Sequence, residues 1–280
     1  MKKVAIQGGE GAYHEIAARA YFKARGEEEI EILPCARFKD VIAAVKRDPD
    51  AAGIMAIENT IAGSLLQNHE LIRESDLAVT GEQKTRITHC LVALPGETLA
   101  TIAEVHSHPI ALMQCADYLD AMPRVKVVEE EDTALSASAI AEHGTRGHAA
   151  ICSRFAAGLH GLAVLDEGIE TNKRNFTRFL LLANRRGDGA PGTGADKSSI
   201  VFTLPHEGGS LSRVLTIFSF YGLNLTKIQS LPIVGREWEY LFYVDLTFED
   251  VLKYRQGLDA ARPLMNDFKI LGEYKACHEG

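Results

Sequence analysis

Apolar residues follow two rhythms along this chain. Up to about residue 185, short apolar runs alternate with stretches of helical period. Strands are predicted at 4–7, 30–33 and 53–57, and helices at 13–24, 38–47 and 64–74. The alternation resumes with strands near 88–93, 103–106, 125–128 and 149–152. Helices are expected near 109–121, 133–143 and 153–158, and a late strand at 176–183. This βα order predicts a mostly parallel sheet covered by helices, arranged as one sheet or as two smaller lobes. The rhythm changes after residue 198. A strand at 198–204 precedes a helix at 209–221, where Leu211, Val214, Leu215 and Phe218 recur at helical spacing. Strands at 224–233 and 237–247, a helix near 250–261 and a strand at 268–274 complete the order βαββαβ, the ferredoxin-like unit.

Between these parts, Arg185 to Lys197 holds four glycines and a proline and no large apolar residue, the composition of a flexible connector. The expected organisation is therefore a domain at 1–185, a linker at 186–197 and a small module at 198–280. A chain of 280 residues agrees, being longer than one comfortable core. With 30 basic and 38 acidic residues the net charge is −8, which argues against a nucleic-acid partner. No apolar run has the roughly 18–20 residues of a membrane span, and the apolar start Val4-Ala5-Ile6 stops at Gln7 and Gly8, too short for a signal peptide. A cytoplasmic protein is expected. Five cysteines at irregular spacing, with no C-x-x-C, point to reduced thiols rather than a disulfide scaffold or structural zinc.

Several local patterns invite chemistry, each beside a plainer explanation. Gly8-Gly9-Glu10-Gly11 follows a strand and opens a helix, but His14 stands where a dinucleotide fingerprint needs its third glycine. What remains is a tight turn or an anion site at a helix N-terminus. His14-Glu15 begins a zinc-protease pattern that Ala18 ends. His106 and His108 would share one strand face, yet no third ligand stands nearby in sequence, so no metal is expected. Ser107 stands before a helix as a natural N-cap, and Gln114, seven residues on, lies on the same face. Glu58-Asn59-Thr60 closes a strand at the end where open α/β sheets bind ligands, with Ser64 a candidate cap for the helix beyond. Asn172 to Phe179 is polar and basic at a strand entrance, and Arg178 could grip a carboxylate or simply face solvent. In a regular strand Thr177 and Arg178 point to opposite faces, so only one could meet a ligand.

In this order, Glu58-Asn59-Thr60, Ser107-His108-Pro109 with Gln114-Cys115, Asn175-Phe176-Thr177-Arg178-Phe179 and Asn224-Leu225-Thr226-Lys227-Ile228 resemble prephenate dehydratase with a C-terminal ACT regulatory domain. The resemblance spans essentially the whole chain, and no chorismate mutase segment is seen beside it, so the monofunctional form is implied. It implies a two-lobed α/β catalytic domain like type 2 periplasmic binding proteins, with crossings near 80 and 170. It also implies conversion of prephenate to phenylpyruvate without cofactor or metal. Thr177 would be catalytic, and Glu58, Asn59, Thr60, Ser107, Gln114, Asn175, Arg178 and Phe179 would bind or support substrate. Gly209, Ser210, Leu211, Asn224 and Leu225 would hold the effector L-phenylalanine, in a homodimer or tetramer. Departures are Thr60 for the family's serine, Ser210 for its alanine, and Gln229-Ser230-Leu231-Pro232 for its Glu-Ser-Arg-Pro. Arogenate dehydratase and a non-catalytic two-lobed ligand sensor are the rival functions.

Overall fold

A computed structural model describes residues 1–185, 194–233, 235 and 239–277. The first stretch runs β1 (Lys2–Gln7), α1 (Tyr13–Lys23), β2 (Ile30–Cys35), α2 (Phe38–Arg47), β3 (Ala52–Asn59), β4 (Gly63–Ser64), α3 (Leu66–Glu74) and β5 (Ala78–Arg86). Next come β6 (Cys90–Ala93), β7 (Glu104–Ser107), α4 (Pro109–Gln114), α5 (Ala116–Asp120), β8 (Lys126–Glu129), α6 (Thr133–His143), β9 (His148–Cys152), α7 (Arg154–Leu159) and β10 (Ala163–Glu167). The remainder is β11 (Phe176–Ala183), β12 (Lys197–Thr203), α8 (Ser210–Phe220), β13 (Asn224–Pro232), β14 (Tyr240–Thr247), α9 (Val251–Ala261) and β15 (Asn266–Tyr274).

Three sheets result. The first orders its strands β2-β1-β3-β11-β5, with β4 folded back on β3; the second orders them β10-β6-β9-β7-β8. Val4, Ala5 and Ile6 of β1 are fully buried, as expected of a strand inside a sheet covered on both faces. The predicted mostly parallel grammar gives way in the second sheet, where β6 runs antiparallel to β9 and β10 while β7 runs parallel to β8 and β9. The chain passes from first sheet to second at 87–89 and returns at 168–175, where crossings near 80 and 170 were expected. The predicted helix at 109–121 breaks at Cys115, whose backbone (φ −107°, ψ 21°) leaves the helical region.

The third sheet orders β13-β14-β12-β15, the ferredoxin-like arrangement. Ile200 and Phe202 on one face of β12 pack with Val214 and Phe218 of α8 and Tyr254 and Leu258 of α9. The opposite face carries Lys197, Ser199 and Val201. Packing divides the chain into two compact units, residues 1–65 with 83–179, and residues 66–82 with 180–280. Residues 66–82 thus group with the C-terminal module: His69 lies 4.9 Å from the Tyr243 ring, and Lys197 pairs with buried Glu82 at 2.9 Å. Of the expected connector at 186–197, residues 186–193 lie outside the described residues. Ala195 already belongs to the module core.

Candidate active site

Within the first unit, the two sheets and their helices enclose a cavity of about 260 Å³. Asn59 and Thr177 reach it from the ends of β3 and β11, Gln114 from α4, and His89 from the crossing segment. These side chains form a closed hydrogen-bond circuit whose directions are fixed. Asn59 Oδ1 accepts from the backbone N–H groups of Ile61 and Ala62, at 2.9 and 2.8 Å, so its amide nitrogen faces the other way. That nitrogen donates to Asn175 Oδ1 at 2.7 Å and to Thr177 Oγ1 at 3.0 Å. Asn175 Nδ2 then donates to Gln114 Oε1 at 2.8 Å, and Gln114 Nε2 returns to Asn59 Oδ1 at 3.3 Å. His89 Nε2 lies 2.9 Å from Gln114 Oε1 and can only donate to it. Burial pushes His89 below the ordinary imidazole value, which favours the neutral ring, and its Nδ1 lies 3.0 Å from the Tyr13 hydroxyl, which donates to Thr88 O at 2.7 Å. Two backbone amides in a turn therefore set the tautomer of a histidine on the far side of the cavity.

The same circuit decides what Thr177 can do. Its oxygen is taken as an acceptor by Asn59, so its own proton remains for a partner in the cavity. Phe179, two residues along β11, lines the same cavity beside His14, with the rings 5.0 Å apart and edge to face. Arg178 points to the other face of the strand, does not line the cavity, and lies 3.5 Å from Glu58. Thr60 ties the entrance of β11 shut, accepting from Phe176 N–H and donating to Arg174 O. Ser107 is fully buried and donates to Ile151 O at 2.6 Å, joining β7 to β9. The helix cap expected of Ser107 is supplied by His108, whose Nδ1 accepts from Ile110 N–H. Ser64 pairs with Glu58 in β4 rather than directly heading a helix. Of the residues expected to bind or act on substrate, Asn59, Gln114, Thr177 and Phe179 line the cavity, and Asn175 is hydrogen-bonded to Asn59 and Gln114.

Among the described residues lining it, none is lysine or arginine, while Glu131 and Asp132 stand at its edge. Positive potential comes instead from backbone. The N-terminal ends of α1 (Ala12, Tyr13, His14), α4 (His108, Ile110, Ala111) and α6 (Asp132, Thr133) all line the cavity. Helix N-termini carry partial positive charge, but α6 is already capped by the Asp132 carboxylate and Ile110 N–H of α4 by His108, which leaves the head of α1 as the end best suited to an anion. Gly11, at φ +88°, makes the approach of α1 possible: a Cβ there would lie 2.8 Å from Ala156 of α7. Glu15 fastens that turn, accepting from Gly11 N–H at 2.7 Å and pairing with Arg19. His14 accepts from Ala56 N–H through Nε2, and burial lowers its pKa to about 4, so it too is neutral. Tyr13, His14 and His89 were not readable as a set, since only the fold brings residues 13–14 against residue 89.

In the second unit, Gly209 takes φ +82° at the head of α8, where Ser210 begins the helix. Asn224 lines a cavity of about 560 Å³ with Tyr221, Thr247 and Lys253. The two groups expected to hold an effector stand at opposite ends of α8, about 16 Å apart by helix rise.

The family model for prephenate dehydratase matches residues 4–187. An arogenate dehydratase/prephenate dehydratase of Arabidopsis thaliana is 35% identical, the alignment covering 97% of this chain and 72% of the relative. Among solved structures, one described as a novel type of quorum-quenching acylase has a TM-score of 0.86 at 31% identity, covering 99% of this chain and 98% of its own. The prephenate dehydratase of Arthrobacter aurescens in complex with L-phenylalanine has a TM-score of 0.84 at 29% identity, covering 98% and 89%. A model match over some two thirds of the sequence falls on the segment that builds the threonine-bearing cavity, and the chain belongs to the prephenate dehydratase family.

Proposed function

We propose that this chain converts prephenate to phenylpyruvate, with Thr177 as the hydrogen-bond donor that helps hydroxide leave. The ring carboxylate departs as carbon dioxide. Its bonding electrons enter the ring, and the C–O bond breaks, with one proton taken up to release water. Aromatisation drives the step, so the protein has to hold a dianion and stabilise charge on the departing oxygen. The observation that carries this reading is the bonding of Thr177: Asn59 donates to its oxygen, which leaves its proton free for a partner in the cavity it lines. The amides at the head of α1, expected to share this part with Arg178, would hold a carboxylate. Loss of one such donor costs about 10²- to 10³-fold in turnover. Thr177→Val should therefore retain fold and substrate binding and lose at least 100-fold in kcat, followed by phenylpyruvate absorbance; near-normal turnover would remove Thr177 from the mechanism.

A second reading has its own observation. Glu131 and Asp132 at the cavity edge would favour the ammonium of arogenate over the keto group of prephenate, and one relative carries both names. The ratio of kcat/KM on the two substrates decides between them. Acyl transfer, named for one structural neighbour, finds less support, because Thr177 is hydrogen-bonded to an amide rather than to a base able to take its proton.

The C-terminal module we read as an ACT domain that binds phenylalanine. Because Gly209–Leu211 and Asn224–Leu225 stand at opposite ends of α8, one amino acid touches both only if a second copy supplies one of them. Strand β13 is the open edge through which copies would pair, with alternate residues exposed along it. Calorimetry with phenylalanine should show binding that Asn224→Ala abolishes. No heat at millimolar ligand in the parent would refute the effector site. No helix among the described residues is long and apolar enough to cross a membrane.

A further inference from the structure

Away from the catalytic cavity, a second cavity of about 470 Å³ lies between α6 and the second sheet, lined by His106, Glu130, His143 and His148. Here the register of the sheet does what the sequence concealed. Strand β7 pairs with β9 so that Glu104 stands opposite His148, and His106 follows two residues along β7. All three therefore share one face of the sheet. The sequence had suggested His108 as the companion of His106, but His108 is spent capping α4.

We propose that Glu104, His106 and His148 form a binding site for a divalent transition-metal ion of the zinc class. One donor atom from each residue lies within 4.8 Å of the other two. His106 Nε2 is 3.0 Å from His148 Nδ1 and 3.5 Å from Glu104 Oε2. Around a tetrahedral ion with bonds of about 2.0–2.1 Å, ligand atoms stand about 3.3 Å apart, so two edges of the coordination polyhedron are nearly in place. The surroundings match what metal-bound histidines require. Glu130 Oε1 lies 3.1 Å from His106 Nδ1 and, as a carboxylate, accepts its N–H, which leaves the Nε2 lone pair for the ion. Lys126 holds the other oxygen of Glu104 at 3.1 Å and fixes that carboxylate. Two imidazoles and one carboxylate favour zinc, cobalt or nickel over magnesium or calcium, which prefer oxygen alone. None of the three ligands lines the catalytic cavity, so the site is separate from the proposed chemistry.

The probe is Co²⁺ titrated into the full-length chain and followed by its visible d–d absorption. The expected result is a saturable one-to-one complex with nitrogen and oxygen ligands and no thiolate charge-transfer band. His106→Gln or His148→Gln should weaken it at least 100-fold, and Glu130→Gln about tenfold or more. Glu130 is half-exposed, so its variant still reports if a histidine variant fails to fold. Absence of saturable binding at millimolar Co²⁺, or binding unchanged by the histidine and Glu130 substitutions, would overturn the site.

Discussion

At the scale of single residues, Thr177 shares its cavity with three titratable rings that burial keeps neutral. Tyr13, His14 and His89 all lie where burial disfavours charge. For His14 this has a consequence for stability. An unfolded imidazole titrates near 6.5 and this folded one at about 4, so the unfolded chain takes up a proton that the folded chain refuses. Stability is lost as the pH falls from about 6.5 toward 4, by up to about 3 kcal/mol, and the loss levels off below. Urea denaturation at pH 7 and pH 5 should show His14→Gln losing about 2 kcal/mol less than the parent between those two conditions. An equal loss in both would place the acid sensitivity elsewhere. The glycine at position 11 works by geometry alone. Its positive φ and the 2.8 Å approach to Ala156 leave no room for a methyl group. Gly11→Ala should lower the melting temperature by several degrees and raise KM, since α1 would be pushed from the cavity it helps to line.

Elements were legible where burial and period agreed. β1 and β3 are built around the apolar runs 4–6 and 54–57, α6 is capped by Asp132 at its start and by Gly144, at φ +61°, at its end, and the order of the C-terminal module matches the expected βαββαβ. Three strands escaped the pattern, the two-residue β4 and the longer β5 and β10. β5 reads Ala-Val-Thr-Gly-Glu-Gln-Lys-Thr-Arg, polar for most of its length, and β10 is five residues ending in acids. Tertiary pairing makes both into strands, and local sequence carries no trace of it. The site divides along the same line. Asn59, Gln114 and Thr177 could be picked out through their motifs, whereas the part played by Arg178 depended on β11 being regular through residue 178, so that it faces away from Thr177. The role of residues 66–82 was equally hidden. Glu82 is almost fully buried, yet it meets Lys197 and also accepts from Cys277 N–H. Removing one partner of such a pair leaves a charge stranded, at a cost of about 3–5 kcal/mol. Lys197→Met should show that loss in thermal or urea unfolding, and the double variant with Glu82→Leu should recover most of it.

For the molecule as a whole, the absence of cationic side chains among the described residues lining the cavity bears on how substrate arrives. Prephenate is a dianion, the chain carries a net charge of −8, and two carboxylates are among the residues lining the cavity. Helix ends attract only at close quarters, so at a distance the approaching molecule meets repulsion. Capture should therefore quicken when dissolved electrolyte shortens the reach of that field from about 30 Å at 0.01 M to about 8 Å at 0.15 M. An enzyme that gripped its substrate with guanidinium forks would slow under the same treatment. Raising potassium chloride over this range should increase kcat/KM for prephenate, and the slope of that rise would measure how far backbone dipoles have replaced formal charge in drawing in the substrate.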